Sequence, residues 1–125
     1  MNKTVKKWVA KADGDFKVAG REMRVRKDRN FDAICFHAQQ CVEKMMKAVL
    51  IHRRVIPPKT HDLLQLDALL KSSFPLWAWP AKDLKFLARA AVAYRYPGDD
   101  ANRDEAVEAM SITRRIRQDL LALLI

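Results

Sequence analysis

Between Phe31 and Arg53 the chain runs for about six helical turns without a glycine or a proline. Ile34, Ala38, Cys41, Val42, Met45, Ala48 and Val49 share one arc at ~100° per residue. That spacing predicts a long helix with a core stripe, and the stripe needs other elements to cover it. The rest of the sequence supplies more of the same period. Val5, Trp8, Val9, Ala12, Phe16, Ala19 and Met23 predict a first helix from about Thr4 to Met23. A short third helix is expected in "HDLLQLDALLKS", capped by Thr60, with Leu63, Leu66, Leu69 and Leu70 on its apolar side. A fourth starts near Ala81 with Leu84, Leu87, Ala88, Ala91 and Val92, and must stop around "YRYPGDD". The last runs from about Asn102 to Leu124, with Val107, Met110, Thr113, Ile116, Leu120 and Leu123 turned inward.

No segment alternates as a strand would, so the expected fold is all-α, an up-and-down bundle of about five helices. The double proline of "VIPPKT" is expected to end the second helix. A chain of 125 residues suits one domain, taken as 1–125. Trp77 and Trp79, in the proline-bounded "SFPLWAWP", read either as core plugs or as an exposed aromatic contact, and fall on one side if that segment is extended.

The formal net charge is +9, and residues 1–29 alone supply +6 of it. Such a surplus favours nucleic acid, an anionic membrane or an acidic protein as partner. The basic runs "RVRKDRN" and "RRIR" (Arg114 to Arg117) read as solvated surface, or as an anion-binding strip if they converge. No apolar run is long enough to span a bilayer, and no secretory signal is visible. Cys35 and Cys41 fall on one helix ~9 Å apart, too far for a disulfide, which suits a cytoplasmic setting.

Several pieces then coincide. "CFHAQQCVEKMMKAVL", "PPKTHDLLQL", "AYRYPG" and a long terminal helix with "EAVEAM" follow in an order that resembles the HEPN family. The resemblance implies a small helical bundle that dimerises and binds a nucleotide or RNA. It also implies a minimal nucleotidyltransferase partner, in some cases as a toxin–antitoxin pair. Other HEPN domains are metal-independent ribonucleases that carry an arginine followed by a histidine near the start of the final helix. Here no histidine follows Arg95; His37, His52 and His61 all lie upstream. The resemblance therefore points away from that activity. A literal match, Arg54 to His61, straddles the double proline and reads as coincidence.

Two places concentrate the candidate residues. On the second helix His37, Gln40, Lys44 and Lys47 lie along one flank, and Gln39 and Glu43 toward the other. The plain reading is a wet face with Glu43–Lys47 as a surface pair. Phe36 and Leu50, expected on the same outward side, favour a semi-buried polar interface instead. In "AYRYPG", Tyr94, Arg95 and Tyr96 precede a forced turn. Arg95 offers a planar fork for phosphate or carboxylate, and the tyrosines offer rings for stacking. The plain alternative is a tyrosine packed inward and an arginine on helix carbonyls. Ligand contacts are accordingly expected at Gln40, Glu43, Lys44, Tyr94, Arg95 and Tyr96. Should a ribonuclease activity exist, His37 and Arg95 are the candidate catalytic pair. His61 and Asp62 read as a helix start. His37 and Cys41 are too few for a metal site, and no cofactor is expected. A non-catalytic scaffold is the remaining alternative.

Overall fold

The computed structural model describes residues 1–125. Five helices follow one another: α1 (Lys3–Met23), α2 (Phe31–His52), α3 (Leu63–Ser73), α4 (Ala81–Ala93) and α5 (Arg103–Ala122). They form the expected up-and-down all-α bundle. The helix starts are set by capping side chains. Asn2 accepts the amide of Val5, and Asn30 that of Ala33. Asn102 and Glu105 form a reciprocal capping box at the head of α5. At α3 the cap is Asp62, which accepts the Leu64 amide at 3.0 Å. Thr60, expected in that role, instead accepts the amide of Asp62 at 3.1 Å and shapes the turn before it.

The end of α2 also differs from expectation. The helix is closed before the prolines are reached. Arg54 adopts a left-handed φ of 63°, its amide donates to Ile51 and the Val55 amide donates to Leu50. That pair of bonds caps the last carbonyls of the helix. Pro57 and Pro58 only direct the chain onward.

α2 packs against all four other helices, and this changes the reading of its polar side. The predicted stripe from Ile34 to Val49 is buried throughout, but so are Met46 and Leu50. Leu50 is therefore core, not outward. Gln39, Glu43 and Lys47 are also buried, at 3%, 3% and 7% exposure. Phe36 alone remains outward, 41% exposed. Val107, expected inward on α5, is exposed. Val5, Ala12 and Ala19 form the buried edge of α1; two alanines let it approach α2 closely. The Thr113 hydroxyl of α5 donates to the Ala38 carbonyl of α2.

Trp77 and Trp79 lie stacked with ring centroids 6.1 Å apart. The Trp77 indole donates to the buried carboxylate of Asp67 at 2.7 Å, which ties the loop to α3. No helix is long and apolar enough to cross a membrane.

Candidate functional site

The polar residues of α2 sort into two networks. Toward α1, the Asp15 carboxylate receives His37 Nδ1 at 2.8 Å and Lys44 Nζ at 2.7 Å. Toward α3, the Glu43 carboxylate receives Lys47 Nζ at 3.1 Å and His61 Nδ1 at 3.0 Å. Gln39 donates to Glu43 at 3.2 Å and accepts from Gln40 at 2.8 Å. Lys47 also sits 5.7 Å from the centre of the Trp8 ring. It is thus a buried ion-pair member, not the plain surface lysine that the sequence suggests.

A carboxylate can only accept, so both histidines donate from Nδ1 and hold Nε2 free. The two imidazoles line adjoining hollows. Between α2 and α4 lies a cavity of about 390 Å³ lined by Phe36, Gln39, Gln40, His61, Ala88, Ala91, Val92 and Arg95. Beside it, a second hollow of about 390 Å³ includes Asp32, Phe36, His37, Tyr94 and Arg95 in its wall. Phe36, Ala91 and Arg95 are common to both, so the two form one continuous groove. His37 meets the Phe36 ring edge-on, with centroids 5.3 Å apart.

The groove is built by neighbours of small volume. Ala88 and Ala91 on α4 leave room opposite Phe36. Arg95 follows the end of α4, held there by the turn through Gly98, whose φ of 95° suits a residue without a Cβ. Arg95 is exposed, with no ion pair and no side-chain hydrogen bond in the chain. Tyr94 turns inward and donates its hydroxyl to Glu105. Burial, and then that hydrogen bond, push the Tyr94 phenol up to about 12. The same bond, with the Asn102 amide, holds the Glu105 carboxyl below its usual range. Asp32 accepts the Ala101 amide at 2.7 Å and so ties the head of α2 to the entry of α5.

Of the ligand-contact and catalytic candidates read from the sequence, Gln40, Arg95, His37 and Tyr94 reach the groove wall. Lys44 and Glu43 stand behind it: Lys44 is bound to Asp15, which positions His37, and Glu43 itself holds His61. Tyr96 is 71% exposed and flanks Arg95 along the chain. Arg54 is exposed and outside the groove, so the literal Arg54–His61 spacing is not assembled as a pair. His61, read in the sequence as part of a helix start, is the residue most underrated there. Only the fold brings the start of α3 beside the end of α4. Asp15 was likewise invisible as a site residue, since its partners lie 22 and 29 positions away.

Cys35 and Cys41 are buried and unpaired. Burial pushes their thiols up to about 11 and about 12, which leaves them as inert packing groups. No group of three or more His, Cys, Asp or Glu side chains is arranged to hold a metal ion.

Comparison with known proteins sets this geometry in a family. The sequence profile of the HEPN domain matches residues 5–123. The chain belongs to the HEPN family. Two solved structures are similar over their full lengths. TT1696 from Thermus thermophilus is 22% identical with a TM-score of 0.78, over 99% of this chain and 100% of that one. ST0689, described as an archaeal HEPN homologue, is 21% identical with a TM-score of 0.70, over 100% of both. At such identities the likeness is one of fold. No curated protein matches the sequence significantly. In this HEPN chain the histidines beside Arg95 come from α2 and from the loop before α3, and none follows Arg95 toward the last helix.

Proposed function

We propose that the α2–α4 groove of this HEPN domain binds a phosphate-bearing ligand, a nucleotide or a segment of RNA. The carrying observation is the convergence of an unpaired arginine, Gln40 and two oriented histidines around the exposed Phe36 ring. Arg95 supplies a bidentate fork for phosphate. Phe36 and Tyr96 offer rings for a base, and Gln40 a readable amide. Tyr94 shapes the wall. Glu43 and Lys44 act at one remove: Glu43 fixes His61 and Gln39, and Lys44 shares Asp15 with His37. The module acts as a homodimer, with the exposed Val92 on the groove rim as apolar surface for a second subunit. Its further partner is a minimal nucleotidyltransferase, in a toxin–antitoxin-type pair. The whole chain, 1–125, serves as one domain.

Titration calorimetry with ATP and anisotropy with a short RNA test this reading. Arg95→Ala is expected to weaken binding at least about tenfold, corresponding to the loss of a charge-assisted contact of about 1.5 kcal/mol or more, with the melting temperature preserved. Lys44→Ala should weaken it less. Wild-type protein that binds neither ligand would leave a scaffold role. Light scattering reads the dimer, and co-purification with a co-expressed nucleotidyltransferase reads the pair.

One observation favours a second reading. His37 lies in the same hollow as Arg95 with Nδ1 held by Asp15, as a general base requires. A metal-independent ribonuclease would have His37 Nε2 take the 2′-hydroxyl proton while Arg95 steadies the phosphate. RNA cleavage in the presence of a chelator, absent in Arg95→Ala, would support it; intact RNA would dismiss it.

A further inference from the structure

Two arginines far apart in the sequence meet outside the groove, on the seam between α1 and α5. Arg24 follows the last residue of α1 and Arg114 lies midway along α5. With Gly20, Met23, Val107 and Met110 they line a shallow hollow of about 210 Å³ that shares no residue with the groove. No carboxylate lines it. Neither guanidinium belongs to any ion pair of the chain. A Cβ on Gly20 would stand 3.4 Å from Arg24 Nη1, so the bare backbone lets the guanidinium lie close against α1. One arginine of each basic run thus lines the hollow, Arg24 at the end of α1 and Arg114 on α5.

Like charges over an apolar floor repel one another unless an anion joins them. Further cations continue the line. Lys17 precedes Arg24 by two helical turns, ~10 Å, on the same side of α1, and Arg103 precedes Arg114 by about three turns, ~16 Å, on α5. Both are exposed. Arg26, Lys27 and Arg29 follow in the adjoining loop, with Asp28 the acidic residue among them. The seam's Asp13 is already held by Arg117 at 2.7 Å.

We propose that this seam is a second binding surface, for the sugar–phosphate backbone of a nucleic-acid strand. The guanidinium forks suit phosphate oxygens. The spaced cations suit a repeating anion better than a single small one. The apolar floor of Met23, Val107 and Met110 gives a ribose or base something to cover.

The test is anisotropy of a labelled single-stranded RNA of about 12 nucleotides, titrated with the intact protein between ~50 and ~200 mM salt. The double variant Arg24→Gln/Arg114→Gln is compared with Lys82→Gln/Lys85→Gln, which removes two exposed charges from α4. The seam variant is expected to lose at least about tenfold in affinity, with a salt slope shallower by about 1.4, the signature of two lost phosphate contacts. The α4 variant should stay within about twofold of wild type. Equal losses in the two variants would overturn the proposal, since bulk charge would then suffice. So would polyglutamate binding as tight as RNA binding, which would mark the seam as a surface for acidic protein. Matching circular dichroism melts exclude misfolding as the cause. Arg95→Ala, measured in parallel, reports on the groove alone, so either surface can fail without the other.

Discussion

A lysine inside a helical bundle is costly unless its counter-charge is buried with it. Lys47 and Glu43 meet that condition, with side chains 9% and 4% exposed and 3.1 Å between them. Removing one partner strands the other. Glu43→Ala is expected to destabilise the domain by about 3–5 kcal/mol, and to free His61 from its orientation. The pair Glu43→Gln/Lys47→Met, which removes both charges and keeps the volume, should recover most of that loss in chemical denaturation. A recovery absent from the double variant would mean that the ion pair is not what the site depends on. At this scale the sequence is a poor guide. Glu43 and Lys47 have the spacing of a weak surface pair, and nothing local distinguishes the two situations. Burial is imposed by α1 and α3, which lie elsewhere in the chain.

At the scale of the helix, local rules carry further. Asn102, where the sequence starts the last helix, forms a capping box with Glu105. Asn102→Ala should cost about 1 kcal/mol. Gly14, in the exposed middle of α1, has nothing within 4 Å of where a Cβ would stand. Gly14→Ala should therefore gain about 1 kcal/mol, read as a higher denaturation midpoint with an unchanged slope. Gly20 differs, because Arg24 rests against it. Helix extents were legible within a residue or two, since period and caps are local properties. The double proline marks the end of α2 to within a few residues, but the left-handed turn at Arg54 is what closes it, and a left-handed arginine has no sequence signal comparable to a double proline.

Across the whole molecule, the Tyr94–Glu105 hydrogen bond joins the end of α4 to α5 and thereby holds the chain on either side of Arg95. Its contribution has a defined pH window. Glu105 is lowered in the fold from 4.5, so its part is complete above that value and is lost as pH falls through the lower folded one. Tyr94 is raised from 10.0 to about 12, so its part is complete below 10.0 and is lost as pH rises toward about 12. The difference in melting temperature between wild type and Tyr94→Phe should be flat from about pH 5 to about pH 9 and shrink on both sides. A difference that stayed constant down to strong acid would refute the pairing.

What the sequence by itself determined is what repeats locally: an all-α chain, five helices, the α2 core stripe, and enough ordered motifs to resemble the HEPN family, which the profile match then established. The tertiary structure decided which polar groups meet. It buried Lys47 and Leu50, gave Asp15 to His37 and Lys44, and carried His61 into the groove with Arg95. The reason is geometric. Helical period says which side of a segment is apolar, but α2 is enclosed on almost every side, so its polar residues are positioned by neighbours that no local pattern names.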